Sequence, residues 1–284
     1  MVVLSWFALG RLAAAEPLFT PGTLPTNNLD YPALIKLPNM TGSGFFVNDS
    51  AHWYLVTARH IFFKDTLVKN AHGDTARVYK LLSTRATVSG YTAGQRYELE
   101  VNLDALSSDG FLKADTLHDI AVACLGRCAY DSTGVTTYSD PRHVRFTGGQ
   151  QAAPILAWWR ILRTYEQVIV GNDVFIFGYP ISIGLRRATP KEAQIDYDRP
   201  LVHKGIVAGL NPAKRTIVID VAAYPGNSGG PVIGVEETPD AGVTKYVPIG
   251  VVIEYVPFED DWVNSTRGYW YSTITSSDYS VVEP

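Results

Sequence analysis

Short runs of β-branched and aromatic residues recur along the chain, each bounded by Gly, Pro, Asn or Asp. They are SGFFVN (43–48), WYLVTA (53–58), ARVYKLL (76–82), ATVSGY (86–91), RYELEVNL (96–103), DIAVACL (119–125), DVFIFGY (173–179), KGIVAGL (204–210), TIVIDVAAY (216–224) and YVPIGVVIEYV (246–256). Such runs favour pleated strands, and no amphipathic helices separate them, which predicts an all-β fold of barrels or sandwiches and not a parallel α/β sheet. One segment departs from the pattern: APILAWWRILRTYEQV (153–168) has helix-like apolar spacing and reads as a helix or a long connection between two halves. Its Trp158–Trp159 pair reads as core or inter-domain packing.

Bulk properties narrow the class. The 284 residues are 46% hydrophobic and 18% charged, enough for one large or two modest domains with a real core. A net charge of −4 with scattered Lys and Arg offers no basic face for nucleic acid. The first residues, MVVLSWFALGRLAAAEP, combine an apolar run with a small-residue stretch like a signal peptide and its cleavage site, so residues 1–15 predict export to a secreted or periplasmic location. No other stretch reaches the ~18 apolar residues of a membrane span. Cys124 and Cys128 cannot make a four-ligand zinc site, and in an extended strand they would lie roughly 13 Å apart. Only a tight turn at Gly126 would let them pair; otherwise they are free thiols. No metal or cofactor site is predicted. The tripeptides NMT, NDS and NST fit the N-glycosylation pattern, which matters only in a eukaryotic secretory pathway.

The segment AYPGNSGGPV (223–232) sets one serine among glycines that neither helix nor strand requires. Nucleophilic catalysis by serine needs a hydroxyl, an imidazole to take its proton and a carboxylate to hold the imidazole. Gly-Asn-Ser-Gly-Gly also fits the nucleophile elbow of α/β-hydrolases, but there the histidine follows the serine. All six histidines here, at 52, 60, 72, 118, 143 and 203, precede Ser228, and a strand, not a helix, follows it. His60 closes the apolar run WYLVTARH, and Asp119 opens DIAVACL. His118 would face away from Asp119 on a strand, and His52, His72, His143 and His203 read as surface residues.

In this order the blocks TGSGFFV (41–47), LVTARHIF (55–62), HDIAVA (118–123), GNDVFIFGYP (171–180), KGIVAGL and IDVAAYPGNSGGPV (219–232) resemble the trypsin-like serine peptidases of the chymotrypsin fold, most nearly the Deg/HtrA-type branch. The resemblance runs from about Gly42 to Tyr255. It implies two antiparallel six-stranded Greek-key β-barrels with the active site in the cleft between them. Residues 16–40 then precede a first barrel (41–150), a connection (151–170), a second barrel (171–265) and a C-terminal tail (266–284). It implies Ser228 as nucleophile, His60 as general base and acid, Asp119 as orienting carboxylate, and the backbone N–H groups of Gly226 and Ser228 as oxyanion hole. Losing one such donor typically costs about 2.7–4 kcal/mol of transition-state stabilisation. Activity is then expected to rise through roughly pH 6 to 8, where a histidine side chain loses its proton.

The departures are informative. Asn227 precedes the serine where secreted digestive members carry Asp, so activation by a new N-terminal amine is not expected. Arg59 before His60 is unusual. The 56 residues after Ser228 leave no room for a PDZ domain beyond the barrel. Ala222, at the position that forms the base of the primary specificity pocket, predicts a preference for small or apolar P1 side chains over Lys or Arg. Ile253, Glu254 and Tyr255 are expected to offer a strand edge to a protein or peptide substrate. An inert peptide-binding module or an esterase on the same fold are the alternatives.

Overall fold

The computed structural model describes residues 29–69, 75–131, 134–148, 154–180, 196, 198–238, 243–264 and 269–284. The predicted leader (1–15) and His72 lie outside them. In chain order the first half contributes β1 (Pro32–Leu37), β2 (Met40–Asn48), β3 (His52–Ala58), the four-residue α1 (Arg59–Phe62), β4 (Phe63–Lys69), β5 (Thr75–Leu81), β6 (Arg85–Thr92) and β7 (Gln95–Asn102). It continues with α2 (Leu103–Ser108), β8 (Leu112–Ala114), β9 (Ile120–Asp131), β10 (Gly134–Tyr138) and β11 (Val144–Gly148). After β12 (Leu156–Trp158), the second half contributes β13 (Asp173–Gly178), β14 (Leu201–Asn211), β15 (Thr216–Asp220), β16 (Pro231–Thr238), β17 (Val243–Asn264) and β18 (Tyr269–Glu283).

The fold is all-β, as the alternation predicts. In β7 the inward positions Tyr97, Leu99 and Val101 are fully buried while Gln95 and Arg96 are exposed. Strands β10-β9-β3-β2-β1-β6-β7-β11 form a curled sheet, with β8 on β9 and β12 on β2. It wraps a core that includes Ile35, Phe46, Trp53, Leu55 and Leu99. The path is open, where a closed six-stranded barrel was expected, and β4 and β5 leave it as a separate ribbon. The second half does close, as β13-β14-β15-β18-β17-β16 with β16 back on β13, around Ile176, Ile219, Val232 and Val282. Beyond Tyr255 and Ser280, β17 and β18 run on as a two-stranded ribbon to the Asn264–Tyr269 pair.

Of the two readings of segment 153–168, a helix or a long connection, the helix does not form: 156–158 pair in parallel with β2, and 159–161 and 165–167 are single 3₁₀ turns. Two sequence expectations are corrected. Trp158 and Trp159 are 45% and 49% exposed, with the Arg160 guanidinium 6.0 and 5.7 Å from their rings, so they are surface and not core. Residues 269–283, read as part of a tail, form β18, which seals the second barrel between β15 and β17. The serines that made this segment look like a tail are compatible with a strand because Ser280 Oγ donates to Val221 O at 2.6 Å.

Cys124 and Cys128 both lie on β9, where the pairing slips near Gly126, and they form no disulfide. The Asn48 of NDS is buried, with Nδ2 donating to Ala157 O at 3.3 Å, so it offers no glycosylation acceptor. No helix among the described residues is long and apolar enough to cross a membrane.

Candidate active site

Strand β3 ends in α1, a single helical turn that puts His60 at the rim of the first sheet. The turn before β9 delivers Asp119 to it. Asp119 Oδ1 accepts the His60 backbone N–H at 3.0 Å, and Oδ2 lies 2.5 Å from His60 Nδ1. Arg59 N donates to Asp119 O at 3.0 Å, which fixes the two segments backbone to backbone. The delivering turn is held from within, because Asp115 Oδ1 accepts the N–H groups of Leu117 (2.6 Å) and His118 (2.9 Å). Those bonds, the one from His118 first, hold the Asp115 carboxyl below its ordinary range against a smaller opposing effect of burial.

Ser228 comes from the segment between β15 and β16. Asn227 N donates to Tyr224 O (2.8 Å), Gly230 N to Asn227 O (2.9 Å) and Gly229 N to Val252 O (2.7 Å). The amides of Gly226 and Ser228 have no acceptor among the described residues, and Gly226 takes φ +104°, a region open to glycine. Gly229 is required twice over. Its φ is +88°, and a Cβ there would overlap Ser43 O and Thr57 Oγ1. Ser43 ties this turn to β2: its N–H donates to Ser228 O (2.8 Å), and its Oγ donates to Gly226 O (2.6 Å) while accepting from Tyr179 N (3.0 Å).

His60 and Ser228 line one cavity of about 330 Å³, together with Ala223, Tyr224, Gly226, Ile253 and Glu254. His60 also borders a second hollow of about 670 Å³ with Asp119 and Arg59. Within the site the structure closes the His60–Asp119 pair but records no Ser228–His60 hydrogen bond among the described residues. The Ser228 hydroxyl instead donates to Ile253 O at 3.5 Å, a long bond that rotation about Cα–Cβ releases.

The expected specificity residues divide. Ile253 and Glu254 line the cleft. Tyr255 pairs through its backbone with Ser280, and its side chain lies outside the described part. Ala222 does not line the cleft; Ala223 and Tyr224 do, because β15 ends at Asp220 and the chain then turns across the mouth. Asn227 is 1% exposed, its side-chain amide unpartnered among the described residues and its backbone packed on Gly178.

Two histidines read as surface residues are not. His143 is buried, with Nε2 2.7 Å from Asp109 Oδ2. His203 is half-buried, 5.7 Å ring to ring from Tyr224, with no partner for Nε2 among the described residues, and burial lowers its pKa. Their short-range surroundings are polar, and only the long-range pairing covers them. Sequence reasoning also missed Ser43, whose type gives no signal until β2 and the Ser228 turn are seen side by side.

The sequence profile of the trypsin-like peptidase domain matches residues 42–238. No curated protein sequence matches the chain. Among solved structures, the chain is similar to a thermostable serine protease, AL20, from an extremophilic microorganism (12% identity, 89% of this chain and 89% of that one, TM-score 0.43). It is also similar to the HtrA-type protease AlgW with a tripeptide (15% identity, 86% and 70%, TM-score 0.36). A third is the NSP4 proteinase from equine arteritis virus (14% identity, 89% and 76%, TM-score 0.33).

Proposed function

The chain belongs to the trypsin-like peptidase domain family and is a serine-type peptidase, and we propose that it is an endopeptidase working through Ser228, His60 and Asp119. The observation that carries this reading is the double hold of Asp119 on His60, through Oδ1 to the backbone N–H and Oδ2 to the ring, at the edge of the cavity that Ser228 lines. With Nδ1–H given to the carboxylate, Nε2 presents its lone pair to the cleft.

His60 Nε2 takes the Ser228 proton as Oγ bonds to the scissile carbonyl carbon, and the N–H groups of Gly226 and Ser228 receive the oxyanion. The C–N bond then breaks as the imidazolium returns its proton to the leaving amine. Water, deprotonated by the same nitrogen, releases the acyl group and restores the serine.

Substrate is a protein or peptide laid along β17. Strand β16 stops pairing with β17 at Val251, so the edge beyond Val252 has no strand partner on the cleft side among the described residues, and Ile253 O can receive a peptide N–H once Ser228 Oγ turns away. The wall at Ala223 carries no charge, which favours small or apolar P1 side chains. The open first sheet is read as the counterpart of the closed barrel, both in the Greek-key pattern of the fold. The apolar leader supports export.

A second reading, an inert peptide-binding module, draws on the Ser228–Ile253 bond. A fluorophosphonate probe with casein as substrate decides. Labelling of the wild-type chain, lost in Ser228→Ala, together with casein cleavage, is the expected result. No labelling supports the inert module, and labelling without cleavage an esterase or a peptidase of narrow specificity.

A further inference from the structure

Arg59 is a cation at the base of the catalytic histidine, and the chemistry above gives it no task. Its side chain turns inward, leaving the residue 8% exposed. Nη1 donates to two carbonyls of the turn that carries Asp119, Asp115 O at 2.7 Å and His118 O at 2.8 Å. Nη2 stands 3.6 Å from Asp65 Oδ2, and the guanidinium lies 4.5 Å from the centre of the Tyr79 ring. Nε is buried, has no hydrogen-bond partner among the described residues and lies 3.8 Å from Asp119 Oδ1. A buried guanidinium is weak support for stability alone, because its desolvation offsets its attractions. A planar fork spanning two carbonyls, with its last donor beside a carboxylate, is instead suited to holding that carboxylate in place.

We propose that Arg59 is a positioning residue of the peptidase. Resting on the triad reading above, it clamps the 115–119 turn so that Asp119 meets both the backbone and the ring of His60. Its positive charge, 3.8 Å from Asp119 Oδ1, adds an attraction that keeps the carboxylate at that place. Other charged or titratable groups around the cluster are Lys64, Asp65, Arg77 and Tyr79 from the β4–β5 ribbon, Asp115 and His118 from the turn, and Glu254 from β17. All of them stay in place in the variants that test the proposal.

The experiment measures the rate of Ser228 labelling by a fluorophosphonate, and kcat and KM on casein, from pH 5 to 9 for the full chain and its Arg59→Met and Arg59→Lys variants. Arg59→Met is expected to lose about 10- to 100-fold in labelling rate and kcat, a part of the ~10²–10⁴ that a positioned base contributes, with KM little changed. Arg59→Lys should regain only part of the rate, since an ammonium keeps the charge without the fork. A folded Arg59→Met with wild-type rate overturns the proposal. So does a loss carried by KM with kcat and labelling rate unchanged, which marks a role other than positioning. If Arg59→Met does not fold, Arg59→Lys decides, and a wild-type rate there overturns the clamp. Ser228→Ala separates the two readings: labelling that survives it, or a wild-type chain that takes no label, removes the triad itself, whatever Arg59 does.

Discussion

His118 Nδ1 lies 2.8 Å from Glu283 Oε2, which joins the residue beside Asp119, in the first half, to the end of β18 in the second. Glu283 is only 5% exposed, and β18 is held on both sides by β15 and β17. The turn that carries Asp119 is therefore braced from two directions, by Arg59 below and by Glu283 across the junction. Glu283→Ala should lower unfolding free energy by about 1–3 kcal/mol, the cost of leaving a partly buried partner unpaired, read as a shift in urea midpoint at unchanged slope.

Asp119→Asn tests the tautomer argument. The amide oxygen can still accept the His60 backbone N–H, so circular dichroism and melting should stay near wild type. Its NH2 group facing Nδ1 favours the wrong tautomer, and kcat on casein should fall by ~10⁴, with fluorophosphonate labelling slowed in step.

Glycines at positive φ should differ sharply in tolerance. Gly229→Ala combines the φ of +88° with overlap on Ser43 O and Thr57 Oγ1, neither of which can retreat without breaking the tie between β2 and the Ser228 turn. Gly94 has φ +78° and nothing among the described residues within 4 Å of a Cβ, so Gly94→Ala carries conformational strain alone, about 1–2 kcal/mol. Thermal melts should show a modest shift for Gly94→Ala and a loss of cooperative folding, or of labelling, for Gly229→Ala.

Acid should weaken the fold in two stages. Burial lowers the His203 pKa below its unfolded value of about 6.5, so the unfolded chain binds the proton first and stability falls as pH drops below that value. The second stage belongs to carboxylates. Arg163, in two 2.6 Å bonds, holds Glu236 below its ordinary range. At Asp49 burial works against ionisation, but hydrogen bonds from Tyr54 Oη and the His52 and Ala51 amides overcome it and set a pKa of about 2. Such lowered acids stabilise the fold above their unfolded values, near 4, and lose that contribution as pH falls through the folded ones. Urea midpoints from pH 8 to 3 check this, and His203→Phe should flatten the first stage only.

The local pattern in the sequence carried a good part of the fold. The ten apolar runs fall on strands because side-chain alternation is a property of each segment by itself. Pairing is not: nothing in YWYSTITSSDYSVVE says that Ser280 will be buried against Val221 O, so β18 reads as a polar tail. The helical spacing of 153–168 misleads for a similar reason, since Leu156–Trp158 are taken up by the free end of β2 and only two separate 3₁₀ turns follow. At the site, residue types in order single out Ser228, His60 and Asp119, of which the structure joins His60 to Asp119 and sets Ser228 on the cavity that His60 lines. Arg59, Ser43 and Glu283 act over separations in sequence that only the register reveals, and Ala222 was one residue away from the wall that Ala223 forms.

Ser43 makes the Ser228 loop a rivet between the two lobes. That one small side chain fastens the loop to the strand next to the one that leads into His60, while the Gly229 amide and the Gly230 carbonyl hold the same loop to Val252 of its own barrel. Any sliding of one lobe over the other has to stretch those bonds first.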